Sequence, residues 1–227
     1  MSENLDEIRL EGFLETLQKD RGPILETIRA RALEDGVPII RSETESLLRF
    51  LIMTRRPKQI LEVGCAVGYS ALVMRQASAT YGGCHITTME SYEPRIAQAR
   101  ENFAAAGAGQ DIELLTGDAT PYLEEMQPDG RFDLIFLDAA KAQYVVWLPN
   151  LLRLLKPDGL LVTDNILTGG DILESRYVVT RRNRTIHKRM REFLERVTQD
   201  PELTSAVLSV GDGVCLTAKS IDNHTTK

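Results

Sequence analysis

From residue 60 onward, short apolar runs alternate with helical segments, and this alternation restricts the fold more than any other feature of the chain. Ile60–Val63, His85–Glu90, Ile112–Thr116, Asp133–Asp138 and Leu160–Thr163 read as strands. Ser70–Ala77, Pro94–Ala106, a short stretch around Tyr122 and the text up to Leu155, with a restart at Pro149, read as the helices between and after them. Ile60–Val63, Leu134–Leu137 and Leu160–Thr163 are hydrophobic runs that read as buried parallel strands. Two later strands, Ala206–Val210 and Val214–Ala218, flank Gly211-Asp212-Gly213 as a hairpin. The expected class is α/β: a Rossmann-like, doubly wound seven-stranded sheet with a C-terminal antiparallel hairpin and N-terminal helices. Residues 1–220 are read as one domain whose first 53 residues are helical, and 221–227 as a polar, flexible tail. Within the N-terminal part, Ser42-Glu43-Thr44-Glu45 reads as a capping box. Lys156-Pro157-Asp158-Gly159 reads as a turn.

Composition removes several classes of function. A length of 227 residues suits one domain with a real core. No apolar run reaches the length of a membrane-spanning helix, so no membrane association is expected. The acidic start MSENLDEIRL lacks the basic and apolar regions of a secretory signal. Three scattered cysteines, Cys65, Cys84 and Cys215, read as reduced core thiols of a cytoplasmic protein. No Cys/His cluster suggests zinc. The net charge of −6 disfavours bulk binding of nucleic acid, yet residues 176–196 carry a local balance of +6, leaving −12 elsewhere.

Open parallel sheets bind ligands beyond the carboxyl ends of their strands, and three of these strands end in chemically useful residues. After Ile60–Val63 comes Gly64-Cys65-Ala66-Val67-Gly68, where Gly64 and Gly68 let the backbone turn and approach a ligand. The spacing is G-x-x-x-G, not the dinucleotide G-x-G-x-x-G, and suits a nucleoside without pyrophosphate. Glu90 ends the next strand, placed to accept ribose hydroxyls. Glu62 is positioned to orient the loop or to face a cationic ligand group. Thr116-Gly117-Asp118-Ala119 would border a nucleobase, with Asp118 accepting from an exocyclic amine or else capping a helix. Asp138, Asp164 and Asn165 supply oxygen ligands only, which suits Mg²⁺. Lys141 follows Asp138 by three residues and is the candidate general base. Together these residues point to metal-dependent methyl transfer from S-adenosylmethionine. Arg181, Arg184, Lys188 and Arg191 recur at helical spacing in a basic helix spanning about 180–198, and would form a stripe suited to phosphates. Arg176 and Arg196 belong to the same basic stretch. Tyr69, Tyr144 and Trp147 are candidates for stacking a flat substrate or for the core.

The chain resembles the metal-dependent O-methyltransferases that include the catechol and caffeoyl-CoA enzymes. The resemblance rests on Leu61-Glu62-Val63-Gly64 with Gly68-Tyr69-Ser70, on Met89-Glu90, on Phe136-Leu137-Asp138 with Lys141, on Asp164-Asn165, and on Gly211-Asp212-Gly213. It implies Asp138, Asp164 and Asn165 as metal ligands and Lys141 as base. It also implies Glu62, Gly64, Ser70, Glu90 and Ala119 around the methyl donor, with Gly68, Asp118 and Asp138 counted in the same set. Further implications are the strand order 3-2-1-4-5-7-6 and a homodimer. The segment Arg181-Arg182-Asn183-Arg184-Thr185-Ile186 is similar to bacterial tRNA 5-hydroxyuridine methyltransferases. It implies the anticodon region of a tRNA as partner, 5-hydroxyuridine as acceptor and 5-methoxyuridine as product. The alternative acceptor is a small catechol or caffeoyl-type metabolite. Both acceptors present two adjacent oxygens that one metal site would chelate.

Overall fold

A strand that is apolar at every position needs cover on both sides, and here each face of the sheet receives its own layer of helices. The computed structural model describes residues 9–10, 12–175 and 177–220. Helices α1 (Pro23–Glu34) and α2 (Ser42–Arg55) precede the sheet. There follow β1 (Gln59–Val63), α3 (Tyr69–Ser78), β2 (His85–Glu90), α4 (Glu93–Ala105), β3 (Ile112–Thr116), α5 (Ala119–Glu125) and β4 (Phe132–Leu137). A 3₁₀ turn at Lys141–Gln143 then leads into α6 (Tyr144–Leu154), β5 (Leu155–Thr163), a second 3₁₀ turn at Thr168–Leu173, α7 (Arg184–Gln199), β6 (Leu203–Leu208) and β7 (Val214–Lys219). The expected flexible tail at 221–227 and Arg176 of the basic stretch lie outside the described residues.

The seven strands form one sheet in the order β3-β2-β1-β4-β5-β7-β6. Strands β1 to β5 pair in parallel, and β7 pairs antiparallel with both β5 and β6. Side chains alternate across the sheet with period two. Ile60, Leu134 and Phe136 pack with α1, α2 and α3 on one face. Leu61, Ile135 and Leu137 pack with α5, α6 and α7 on the other. The strand order reverses between β1 and β4, which opens a crevice at their carboxyl ends. Among the described residues no helix is long and apolar enough to cross a membrane.

Four local expectations are corrected. Ser42-Glu43-Thr44-Glu45 does not form a capping box, because arginines claim its side chains. Ser42 Oγ accepts from Arg21 Nη2 at 3.2 Å and Arg29 Nη2 at 3.1 Å. The buried Glu45 carboxylate accepts from Arg21 Nε (2.8 Å), Arg49 Nε (2.9 Å) and the Tyr69 hydroxyl (2.8 Å). These charge-assisted bonds are stronger than a neutral cap. Pro149 does not restart a helix but lies inside α6. The segment 156–159 is not a free turn. Phe132 pairs with Leu155 and Leu134 with Leu160, so these residues form an irregularity within β5. The basic helix begins at Arg184, not near residue 180.

Candidate active site

The carboxyl ends of β1, β2, β4 and β5 surround a crevice of about 660 Å³. Gly64, Ser70, Glu90, Asp118, Ala119, Asp138, Lys141 and Asn165, all singled out from the sequence, line it. Glu62, Gly68 and Asp164, also singled out from the sequence, do not line it.

The glycine loop is held by contacts that admit no side chain. Gly64 has φ of +104°, and a Cβ there would lie 1.8 Å from the Asp138 carbonyl oxygen. The glycine loop and the β4 end therefore touch backbone to backbone. Gly68 has φ of +81°, and its Cβ would meet the Phe103 ring at 2.5 Å. Ala66 N–H donates to Glu90 Oε2 at 2.8 Å, while Ser91 and Tyr92 N–H groups donate to Glu90 Oε1, each at 2.9 Å. An ionised carboxylate keeps lone pairs beyond these three bonds, so Glu90 can still accept from a ligand. Asp118 Oδ1 accepts from Thr120 N–H at 2.7 Å and caps α5, although the residue also borders the crevice.

Glu62 is fully buried and does not line the crevice. Its carboxylate accepts from Ser70 Oγ at 2.6 Å and from Thr88 Oγ1. Burial pushes its pKa from 4.5 to about 7, against the lowering effect of both hydroxyls. The sign follows from proton linkage: between pH 4.5 and 7 the folded chain keeps a proton that the unfolded chain releases. This group's contribution to stability therefore falls as pH rises through that window, by on the order of 3 kcal/mol in all. Glu62→Gln is expected to flatten part of the decline in apo-protein stability between pH 5 and 8, measured by urea unfolding. Its amide can still hydrogen bond both hydroxyls, so an unchanged pH slope would refute this account.

Asp138 and Asn165 meet across the ends of β4 and β5. Asn165 Nδ2 donates to Asp138 Oδ1 at 3.1 Å, and Lys141 Nζ lies 3.4 Å from Asn165 Oδ1. Asn165 adopts φ of +62°, a left-handed conformation that suits asparagine, and its N–H donates to Asp164 Oδ1 at 2.8 Å. Burial pushes the Asp138 carboxyl up, against the pull of the Asn165 hydrogen bond and the Lys141 charge. Burial, and then the Asp138 charge, pushes Asp164 up to about 7. Asp138 and Asp164 are two buried carboxylates close enough for one charge to act on the other. Among the described residues no group of three or more His, Cys, Asp and Glu gathers to hold a metal. The set here is two carboxylates and an amide oxygen, a hard-oxygen donor set of the kind that leaves positions for water and substrate.

The basic stripe does not reach the crevice. Arg181 precedes α7, so it does not share a helical face with the other three. Arg184 Nε donates to Val179 O at 3.2 Å, and Arg191 Nη1 donates to Ile172 O at 3.3 Å. Lys188 is exposed. Arg189 Nη1 donates to Ala142 O at 2.9 Å, next to Lys141. Backbone carbonyls left over by irregular segments need donors, and the guanidinium groups supply them. Of the aromatic candidates, Trp147 lines the crevice, with its Nε1–H donating to Thr120 Oγ1 at 3.1 Å. Tyr69 also reaches it, whereas Tyr144 is core.

Two contributions are visible only in three dimensions. The connection Pro38-Ile39-Ile40 closes one side of the crevice. Asp212 borders it from the β6–β7 loop and pairs with Arg41 at 3.0 Å. The Gly211-Asp212-Gly213 motif is legible in the sequence as a hairpin turn and as part of the family resemblance, but not as a wall of the crevice.

Comparison with known proteins places these features in a wider set. The family model described as O-methyltransferase matches residues 17–220. A catechol O-methyltransferase of Niastella koreensis is 34% identical over 146 residues, which is 62% of this chain and 65% of that protein. A caffeoyl-CoA O-methyltransferase of Stellaria longipes is 30% identical over 176 residues, 74% of this chain and 70% of that protein. The SAH-bound structure of a Podospora anserina methyltransferase superposes with a TM-score of 0.82 at 27% identity, covering 95% of this chain and 96% of that one.

Proposed function

The chain belongs to the O-methyltransferase family and is an S-adenosylmethionine-dependent O-methyltransferase, and we propose that it methylates one of two adjacent oxygens on a small catechol or caffeoyl-type acceptor with the help of Mg²⁺. One observation carries this reading. Asp138, Lys141 and Asn165 are linked through their side chains, and the Asp138 backbone lies directly against Gly64 of the glycine loop.

The proposed roles follow from placement. Glu90 accepts the ribose hydroxyls, and Ala119 with Asp118 borders the adenine. Gly64 lets the glycine loop pack on the Asp138 backbone, and Ser70, held by Glu62, lines the crevice beside the donor. Asp138, Asp164 and Asn165 hold the cation. When bound, Mg²⁺ lowers the pKa of the acceptor hydroxyl and orients it. Lys141 Nζ, as the neutral amine, takes the hydroxyl proton; the oxygen attacks the donor's methyl in line, and the sulfonium–methyl bond breaks to release S-adenosylhomocysteine. Attack neutralises an anionic oxygen against a cationic sulfonium, so a crevice that excludes water favours the forward step. Holding both partners in place contributes on the order of 7–11 kcal/mol to lowering the barrier.

A second reading keeps 5-hydroxyuridine in tRNA as the acceptor. It is favoured by the exposed cations Arg181, Arg182 and Lys188 flanking the start of α7. The test offers labelled S-adenosylmethionine with either caffeic acid or tRNA carrying 5-hydroxyuridine, each with Mg²⁺ and with EDTA. Label in caffeic acid that EDTA removes supports the proposal. Label only in tRNA, lost in the Arg181→Glu/Lys188→Glu double variant, replaces the small acceptor with RNA. EDTA is expected to abolish turnover yet spare donor binding, because donor and cation draw mainly on different strands. Turnover that survives EDTA would sink the metal's role.

A further inference from the structure

The two segments that carry the acidic ligands, 138–141 after β4 and 164–165 after β5, are tied together by one side chain that touches neither crevice nor solvent. Tyr144 begins α6 and is 0% exposed. Its hydroxyl accepts from Ala139 N–H at 3.2 Å and donates to the Asp164 carbonyl oxygen at 3.3 Å. One bond lands on the residue after Asp138 and the other on Asp164 itself. A single phenol thus uses its donor and one acceptor position on the backbones of two different loops. Its ring is held in place by Phe193 of α7, edge to face, with centroids 5.8 Å apart.

Packing alone does not call for that hydroxyl, since phenylalanine would fill the same site in the core. Two other side-chain bonds cross the same gap, from Asn165 Nδ2 to Asp138 Oδ1 and from Lys141 Nζ to Asn165 Oδ1. Every partner in them belongs to the proposed metal and base set, so they shift with whatever that set binds. Tyr144 is anchored in the core and does not. We propose that Tyr144 is a positioning residue: its hydroxyl sets the spacing of Asp138 and Asp164 and so governs the affinity of the pair for a divalent cation. This rests on the metal reading given above.

The test compares wild type, Tyr144→Phe and Asp164→Ala in the intact chain. Mn²⁺ binding is followed by electron paramagnetic resonance, and S-adenosylhomocysteine binding by calorimetry. Tyr144→Phe is expected to raise the Mn²⁺ dissociation constant by about 10-fold or more, as for other residues that orient metal ligands. Affinity for S-adenosylhomocysteine should change by less than about twofold, because its proposed contacts lie mainly on other strands. Asp164→Ala should bind no Mn²⁺. A merely structural role would lower the melting temperature and leave Mn²⁺ affinity alone, so Mn²⁺ affinity within about twofold of wild type overturns the proposal whatever the thermal loss. If wild type itself binds no Mn²⁺, or Asp164→Ala binds it equally well, the metal reading fails and takes this inference with it. Should Tyr144→Phe fail to fold, Phe193→Leu decides instead. That variant keeps the hydroxyl but frees the ring, and unchanged Mn²⁺ affinity in it overturns the proposal.

Discussion

Lys141→Arg loses methyl transfer by about 10²- to 10⁴-fold in kcat, the range expected when a general base is removed. Arginine keeps the positive charge and much of the length but does not give up its proton near neutral pH. The substitution therefore separates two roles that a change to alanine would merge. If Lys141 serves only as a charge beside Asp138 and Asn165, the arginine variant should keep most of the activity. If it removes the hydroxyl proton, Lys141→Arg should be nearly as inactive as Lys141→Met. Both variants should bind S-adenosylhomocysteine as wild type does, since the donor's proposed contacts come mainly from the glycine loop, Glu90 and the β3 end. The measurement is single-turnover methyl transfer at saturating donor and acceptor. Near-wild-type turnover in Lys141→Arg would remove the base assignment and leave the electrostatic one.

Gly64→Ala gives the largest effect on the folded state. The added Cβ would lie 1.8 Å from the Asp138 carbonyl oxygen, at a φ of +104° that side chains avoid. The neighbouring atom is backbone, so it cannot rotate away. Overpacking costs about 1–3 kcal/mol and a strained φ of this kind a similar amount, which for a chain of this size lowers the melting temperature by roughly 5–20 °C. The functional signature is more telling than the thermal one. Any relief moves either the donor loop or the β4 end, so affinity for S-adenosylhomocysteine and for Mn²⁺ should fall together. Gly68→Ala meets the Phe103 ring, a side chain at 2.5 Å, and should affect the donor alone. A Gly64→Ala protein with wild-type melting and both affinities intact would show that the two loops are not coupled through this contact.

The parts legible in the sequence are those governed by local pattern. The boundaries of β2 and β3 match the expected strands residue for residue, and the strand order is the one the family resemblance implies. That Asp138, Lys141 and Asn165 would share one crevice is legible because they follow the ends of β4 and β5, and strand ends have only one place to go in a parallel sheet. What local pattern misreads depends on partners distant in sequence. Ser42 and Glu45 have the spacing of a capping box, yet Arg21 lies 24 residues before Glu45 and takes its carboxylate. Arg184 and Arg191 have the spacing of a phosphate stripe, yet carbonyls at Val179 and Ile172 claim them. Asp212 looks like a turn residue because nothing in the sequence reveals that the β6–β7 loop folds over the crevice. Charge and spacing constrain what a side chain can bond to, and the competition among partners is settled only by tertiary contact.

The three cysteines give this protein built-in clocks for local opening. Cys65, Cys84 and Cys215 are 1%, 9% and 0% exposed, and burial pushes each thiol's pKa upward, so none reacts readily while its surroundings stay closed. A thiol reagent therefore reports how often each neighbourhood breathes, without any engineered label. Cys65 sits in the glycine loop, Cys84 just before β2, and Cys215 in the antiparallel strand β7. Alkylation followed by mass spectrometry resolves the three rates in one sample. Saturation with S-adenosylhomocysteine should slow the Cys65 clock and leave the Cys215 clock running at its own pace.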